Sequence, residues 1–129
     1  MRISVVGAGY VGLVTGVCLA EAGHQVVCVE IDPAKVAQIL AGVPPIHEEG
    51  LEQLLGRNLG KRFAVTADLR SAVLGSDVTL IAVGTPFDGA RIDLSFVRAA
   101  ARGIGAALLQ SFQQTSQSET DRPALRLAA

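Results

Sequence analysis

The chain has no tryptophan, a single tyrosine, two cysteines and no block of basic residues. Each scarcity removes a class of function. Nucleic-acid binding needs clustered Lys and Arg for the phosphates. Here 11 Lys and Arg stand against 12 Asp and Glu, spread along the chain, with aromatics at only 4%, so no nucleic-acid partner is expected. Cys18 and Cys28 form no CxxC pair and too few thiols remain for a disulfide framework, so no metal site is read and a reducing, cytoplasmic setting is the expectation. Membrane spans need about 18 or more uninterrupted apolar residues, and no run reaches that length. Arg2 ahead of an apolar stretch imitates a secretory signal, but Gly7, Gly9, Gly12 and Glu21 interrupt it.

What is present is globular material. Half of the 129 residues are hydrophobic and 18% are charged, which suits one domain with an ordinary core. Residues 3–6 (ISVV) read as a short buried strand. From Tyr10 to Ala22 the residues are small and apolar, a helix built to pack closely, and Gly23 supplies its left-handed cap. A second strand covers 26–30. Asp32-Pro33 opens a helix with an oxygen-bearing cap and a proline at its first position, and Gly42 closes it. The paired prolines of VPPIHEEG make a stiff loop. Helix resumes near Glu48 or Glu49 and runs through LEQLLGRNL. A weak third strand follows at 63–66, and Asp68 caps a short helix to Leu74. The clearest strand, VTLIAV at 78–83, stops at Gly84-Thr85-Pro86. Asp93 then caps a helix carrying Leu94, Val97, Ala101, Ile104 and Leu108 on one stripe.

Strands alternating with helices at this spacing predict a Rossmann-type, doubly wound parallel α/β sheet, incomplete at about four strands. Residues 1–109 form the expected domain. Residues 110–129, rich in Gln and Ser, read as a polar, disordered tail. In the usual strand order VTLIAV lies at an unpaired hydrophobic edge, through which self-association is expected.

The chemistry gathers at VVGAGYVG. The spacing G-x-G-x-x-G is weak by itself, but here it follows a predicted strand and opens a predicted helix. A second strand ends in an acid, Glu30, 18 residues after Gly12. Gly7 suits the tight turn, Gly9 the close approach of a pyrophosphate, and Gly12 helix–sheet packing. The phosphates would meet the first helical turn, at Tyr10 and Val11, where free N–H groups and the helix dipole favour negative charge. A carboxylate at Glu30 can accept from both ribose hydroxyls and repel a 2′-phosphate, which selects NAD over NADP. Lys35, one turn past Asp32, is within reach of the same ribose or is a solvated helix-face lysine. Thr85 follows the fourth strand, where open α/β sheets collect ligands, and either bonds the cofactor or serves the loop alone. Asp32 reads as a cap. His47, Glu48 and Glu49 are adjacent residues pointing in different directions, so they are not expected to converge on a metal. Cys18 and Cys28 read as inert core thiols.

From residue 1 to about residue 109 the chain resembles the N-terminal domain of the UDP-glucose/GDP-mannose dehydrogenase family. The resemblance rests on VVGAGYVGLVTGVCLAEAGHQVVCVEID, PIHEEGLEQLL, TADLRSAVLGSDVTLIAVGTP and IDLSFVRAA. GYVGLVTG leans toward the UDP-glucose branch. The resemblance implies a four-electron oxidation at the sugar C6, alcohol to aldehyde to acid, with two NAD per turnover. It places cofactor contacts at the glycine loop, Glu30, Lys35 and Thr85. Two departures stand out. The family usually has Asp at Glu30, and usually Tyr and Pro at His47 and Glu49.

The family continues into a sugar-binding domain whose cysteine, in a Gly-Gly-Ser-Cys-Phe-Pro-like context, carries the aldehyde as a thiohemiacetal. No segment of these 129 residues matches that motif. The resemblance therefore implies NAD binding without turnover by this chain alone, a UDP-sugar binding only where the further domain is supplied. The alternative is a free-standing NAD-binding or regulatory module.

Overall fold

A computed structural model describes residues 1–120, with side-chain environments for 1–115. Within these residues four strands, β1 (Arg2–Val6), β2 (Gln25–Val29), β3 (Phe63–Thr66) and β4 (Val78–Ile81), form one parallel sheet in the order β3-β2-β1-β4. The register runs Ile3 beside Val26 and Val78, and Val6 beside Val29 and Ile81. The expected fold class is what the chain adopts. β4 is two residues shorter than its apolar run, because its partner β1 ends at Val6. Pairing stops there, with Ala82 N–H donating to the Val6 carbonyl at 2.8 Å.

Among the described residues, five helices complete the domain: α1 (Tyr10–Glu21), α2 (Pro33–Leu40), α3 (Leu51–Asn58), α4 (Leu69–Leu74) and α5 (Ser95–Thr120). The main core lies under α1. Ile3, Val5, Val26, Cys28 and Phe63 meet Leu13, Val17 and Ala20 of α1 and Leu51 and Leu55 of α3. Strand alternation sends Ser4, Val6 and Val29 to the opposite face, where α4 packs on β1 and β2 and against α5. The buried Ser4 is satisfied there by Thr79, Oγ to Oγ1 at 2.7 Å.

Three local expectations change. α3 starts at Leu51 rather than near Glu48, because Gly50 takes a left-handed φ of 81° and ends the loop there. α5 continues past Leu109 to Thr120, so residues 110–120 are helical rather than part of a disordered tail. Between Gly105 and Thr120 no glycine or proline interrupts the ladder, and extending a formed helix costs far less than starting one. The polar composition of that stretch hid its period; the rest of the expected tail, residues 121–129, lies outside the described residues. Cys18 is exposed rather than core, since the buried stripe of α1 runs through Leu13, Gly16, Val17 and Ala20 and leaves its neighbour outside.

Candidate functional site

The three glycines of the β1–α1 turn hold three different positions. Gly7 has a φ of 107°, and a Cβ there would stand 2.7 Å from the Ala82 carbonyl oxygen. At Gly12 a Cβ would lie 1.9 Å from the Gly7 carbonyl oxygen, a contact no side chain survives. Both glycines are therefore demanded by the fold, which presses α1 against the end of β1 and β1 against β4. Gly9 differs. Its φ of −74° suits any residue, and a Cβ there would meet nothing within 4 Å. The chain itself gives no reason for glycine at position 9, and the space beside it is open.

That space faces an uncapped helix end. Asp32, Asp68 and Asp93 accept from backbone N–H groups at the starts of α2, α4 and α5. α1 has Gly9 at its cap, no side-chain cap bond and no acid in its first turn. Its first N–H groups, at Tyr10, Val11 and Gly12, have no partner within the helix and face the site with the positive end of the helix dipole.

Glu30 is 8% exposed, directly below this turn. Its Oε2 accepts from Ala8 N–H at 3.2 Å and its Oε1 from Asp32 N–H at 3.0 Å. One carboxylate thus ties the glycine loop to the β2–α2 loop, and each oxygen keeps a lone pair for a further donor. The extra methylene of Glu over Asp is used in reaching back to Ala8. Behind it, burial and the Glu30 charge push the Cys28 thiol up to about 12, so Cys28 is a packed thiol and no nucleophile.

Tyr10 is 54% exposed, and its hydroxyl donates to Glu48 Oε2, pinning the 43–50 loop beside the first turn of α1. Glu48 thus turns toward Tyr10 instead of joining His47 and Glu49. The Tyr10 pKa is raised, first by the hydrogen bond to Glu48, then by partial desolvation and the carboxylate charge.

A cavity of about 570 Å³ opens at the carboxyl ends of β1, β2 and β4 and gathers Gly7, Gly9, Glu30 and Lys35. Asp32 also lines it while capping α2. Of the other expected residues, Gly12 is buried behind the turn, while Tyr10 and Val11 present their side chains to solvent. Thr85 is exposed and stands just past Gly84, the last residue of its loop to line the cavity. Sequence reasoning missed Ile31, Leu69, Val83, Phe96, Ala99 and Ala100, which also line the walls. The signal was available: in an open α/β sheet the helix starts that follow strand ends border the same crevice.

A model of the UDP-glucose/GDP-mannose dehydrogenase family, NAD binding domain, matches residues 1–115. The chain belongs to this family. Over 116 residues it is 53% identical to the UDP-glucose 6-dehydrogenase of Rhizobium meliloti, an alignment covering 87% of this chain and 26% of that protein. The fold is similar to the GDP-mannose dehydrogenase of Pseudomonas aeruginosa, solved as a ternary complex, with a TM-score of 0.78 at 43% identity; the match covers 84% of this chain and 25% of that one. A UDP-glucose dehydrogenase from the archaeon Pyrobaculum islandicum gives a TM-score of 0.76 at 44% identity, covering 81% and 25%. The chain spans about a quarter of the length of the curated relatives it matches.

The residues present fit the family's cofactor. The open face at Gly9, the uncapped start of α1 and a buried acid at the end of β2 are what a dinucleotide needs for its pyrophosphate and ribose. Two measurements test the geometry. Gly9→Ala should leave the unfolding midpoint unchanged and weaken NAD binding roughly tenfold or more. Gly12→Ala should destabilise the fold by about 1–3 kcal/mol or more, as overpacking does, whether or not NAD is present. Equal effects of both on stability would contradict the assignment. Separately, Tyr10 is the chain's single tyrosine, so its phenolate absorbance titrates alone. Its midpoint should lie above that of free tyrosine and fall toward it in Glu48→Gln; a midpoint unmoved by that substitution would remove the contact.

Proposed function

We propose that this chain is the NAD-holding part of an oxidoreductase resembling UDP-glucose 6-dehydrogenase. The observation that carries the reading is the empty side of Gly9, next to an uncapped helix end and above the buried Glu30. In this reading Gly7 and Gly12 set the turn, and the N–H groups of Tyr10 and Val11 donate to the pyrophosphate. Glu30 takes the adenosine ribose hydroxyls with its remaining lone pairs and, being buried and anionic, disfavours a 2′-phosphate. Lys35 supports that ribose from α2, and Thr85 meets the cofactor further along, beyond the β4 end. Bound NAD supplies the hydride acceptor for the family's oxidation.

The sugar is UDP-glucose in this reading, in keeping with GYVGLVTG. It engages only where a sugar-binding domain is supplied, and the compartment is the cytoplasm. Among the described residues, no helix is long and apolar enough to cross a membrane. Neither cysteine offers the thiolate that the sugar chemistry requires: Cys28 is buried with a raised pKa, and Cys18 lies on the outer face of α1, away from the cavity. The 129 residues alone therefore bind NAD without oxidising the sugar.

Calorimetric titration with NAD, then an assay for NADH formation with UDP-glucose, tests both halves. The expected result is saturable NAD binding, weak or absent NADP binding, and no turnover. NADH production by the pure chain would overturn the inactivity, and absence of NAD binding would overturn the function.

The open edge of β4 adds a second expectation. Val78, Leu80 and Ile81 are exposed, and among the described residues no strand neighbours the outer side of β4 in the sheet. Such an edge templates pairing with another chain. The chain should therefore self-associate, its apparent mass in sedimentation rising with concentration, and Leu80→Lys should suppress the rise. A monomer at all concentrations would contradict this.

A further inference from the structure

Tyr10 occupies a free position of the G-x-G-x-x-G spacing, and the proposed function uses only its backbone N–H. Its ring raises a separate question. Side chains on a helix lean back toward the helix N-terminus. Tyr10 is the first residue of α1, directly after Gly9, so its ring starts beside the open face of the glycine turn. A ring laid over that face would fill the space on which the dinucleotide reading rests. Gly9 nevertheless lines the cavity, and Tyr10 does not.

Glu48 holds the ring aside: its Oε2 accepts from the Tyr10 hydroxyl. This carboxylate stands on a loop with little freedom. The Glu48 carbonyl accepts from Leu51 N–H at 3.2 Å, and Leu51 is a core residue at the start of α3. Two residues before Glu48, Ile46 packs against the same core, and Pro44 and Pro45 stiffen the approach. Glu48 is therefore a fixed post. Tyr10 is the movable partner, since at 54% exposed its ring has room to turn between staggered positions.

We propose that Glu48 is a positioning residue for the cofactor: by holding the Tyr10 ring against the 43–50 loop, it keeps the open side of Gly9 clear for the pyrophosphate. This rests on the dinucleotide reading and adds to it a residue that acts through Tyr10 rather than on the ligand. Charge and positioning have opposite signs here. A carboxylate close to a phosphate site repels the anion, so by charge alone removing Glu48 would tighten binding. By positioning, removing it frees the ring to cover Gly9 and weakens binding.

The test uses the full chain and calorimetric titration with NAD. Apparent affinity falls with the fraction of molecules whose site is open, so Glu48→Ala should weaken NAD by about fivefold. Glu48→Gln keeps an acceptor for the hydroxyl and should recover most of the affinity. Tyr10→Phe releases the ring without touching the loop, and should weaken NAD as Glu48→Ala does. In a Tyr10→Ala background, where no ring remains, Glu48→Ala should cost nothing further. A ligand-free readout accompanies these. The Gly9 amide resonance should move in Glu48→Ala, through the ring current of the released tyrosine, and should stay in place when the same substitution is made in Tyr10→Ala. If the wild type binds NAD and Glu48→Ala binds it equally or better, or if the loss persists in the Tyr10→Ala background, the positioning role is wrong while NAD binding stands. If the wild type binds no NAD, both readings fall.

Discussion

The structure turns on one backbone contact, the seating of Gly12 beneath the Gly7 carbonyl. With no Cβ at either position, α1 starts directly on the end of β1, and Gly7 lies against the Ala82 carbonyl at the end of β4. This contact sets the height of α1 over the sheet, so it also sets where Leu13 and Val17 enter the core beside Val5 and Val26. It also aims the first turn of α1 at the crevice between β1 and β4. Packing and function therefore share one constraint. A side chain at Gly12 would move the core and the first turn of α1 together, whereas one at Gly9 would meet neither.

Glu30 is the second element of that arrangement. A buried carboxylate is costly unless hydrogen bonds replace its water, and here two backbone N–H groups do so. Because those donors belong to two different loops, the acid braces the site as well as lining it. Removing the charge would loosen the glycine turn and the β2–α2 loop at once. Tyr10 and Glu48 provide a third, solvent-exposed tie, from the first turn of α1 to the proline-rich loop.

Much of this was legible in the sequence, for physical reasons that can be named. β-branched runs gave the strands. Glycines where the chain needs φ above zero gave the ends of α1 and α2, at Gly23 and Gly42. Asp32 and Asp68 gave the starts of α2 and α4. The β1–α1 turn with Glu30 beside it was legible because its spacing, strand and acid agree across levels. The apolar wall of the cavity was not, since Leu69 and Phe96 are far apart in the chain and only the packing at Gly103 brings α4 and α5 together. Nor was the length of α5, because its last turns, rich in Gln and Ser, carry no hydrophobic period. Cys18 was misplaced by one position on a helix whose apolar residues extend beyond its buried stripe.

The central claim is that the first turn of α1, cleared of side chains at Gly9, is the anion cradle of a dinucleotide site. Amide chemical shifts of the isotope-labelled chain, followed during NAD titration, test it most directly. The account predicts saturable shifts largest at Ala8, Gly9, Tyr10 and Val11, with Ile31 and Asp32 following at the same midpoint. Binding that leaves those amides unmoved, or shifts centred on another part of the molecule, would contradict it.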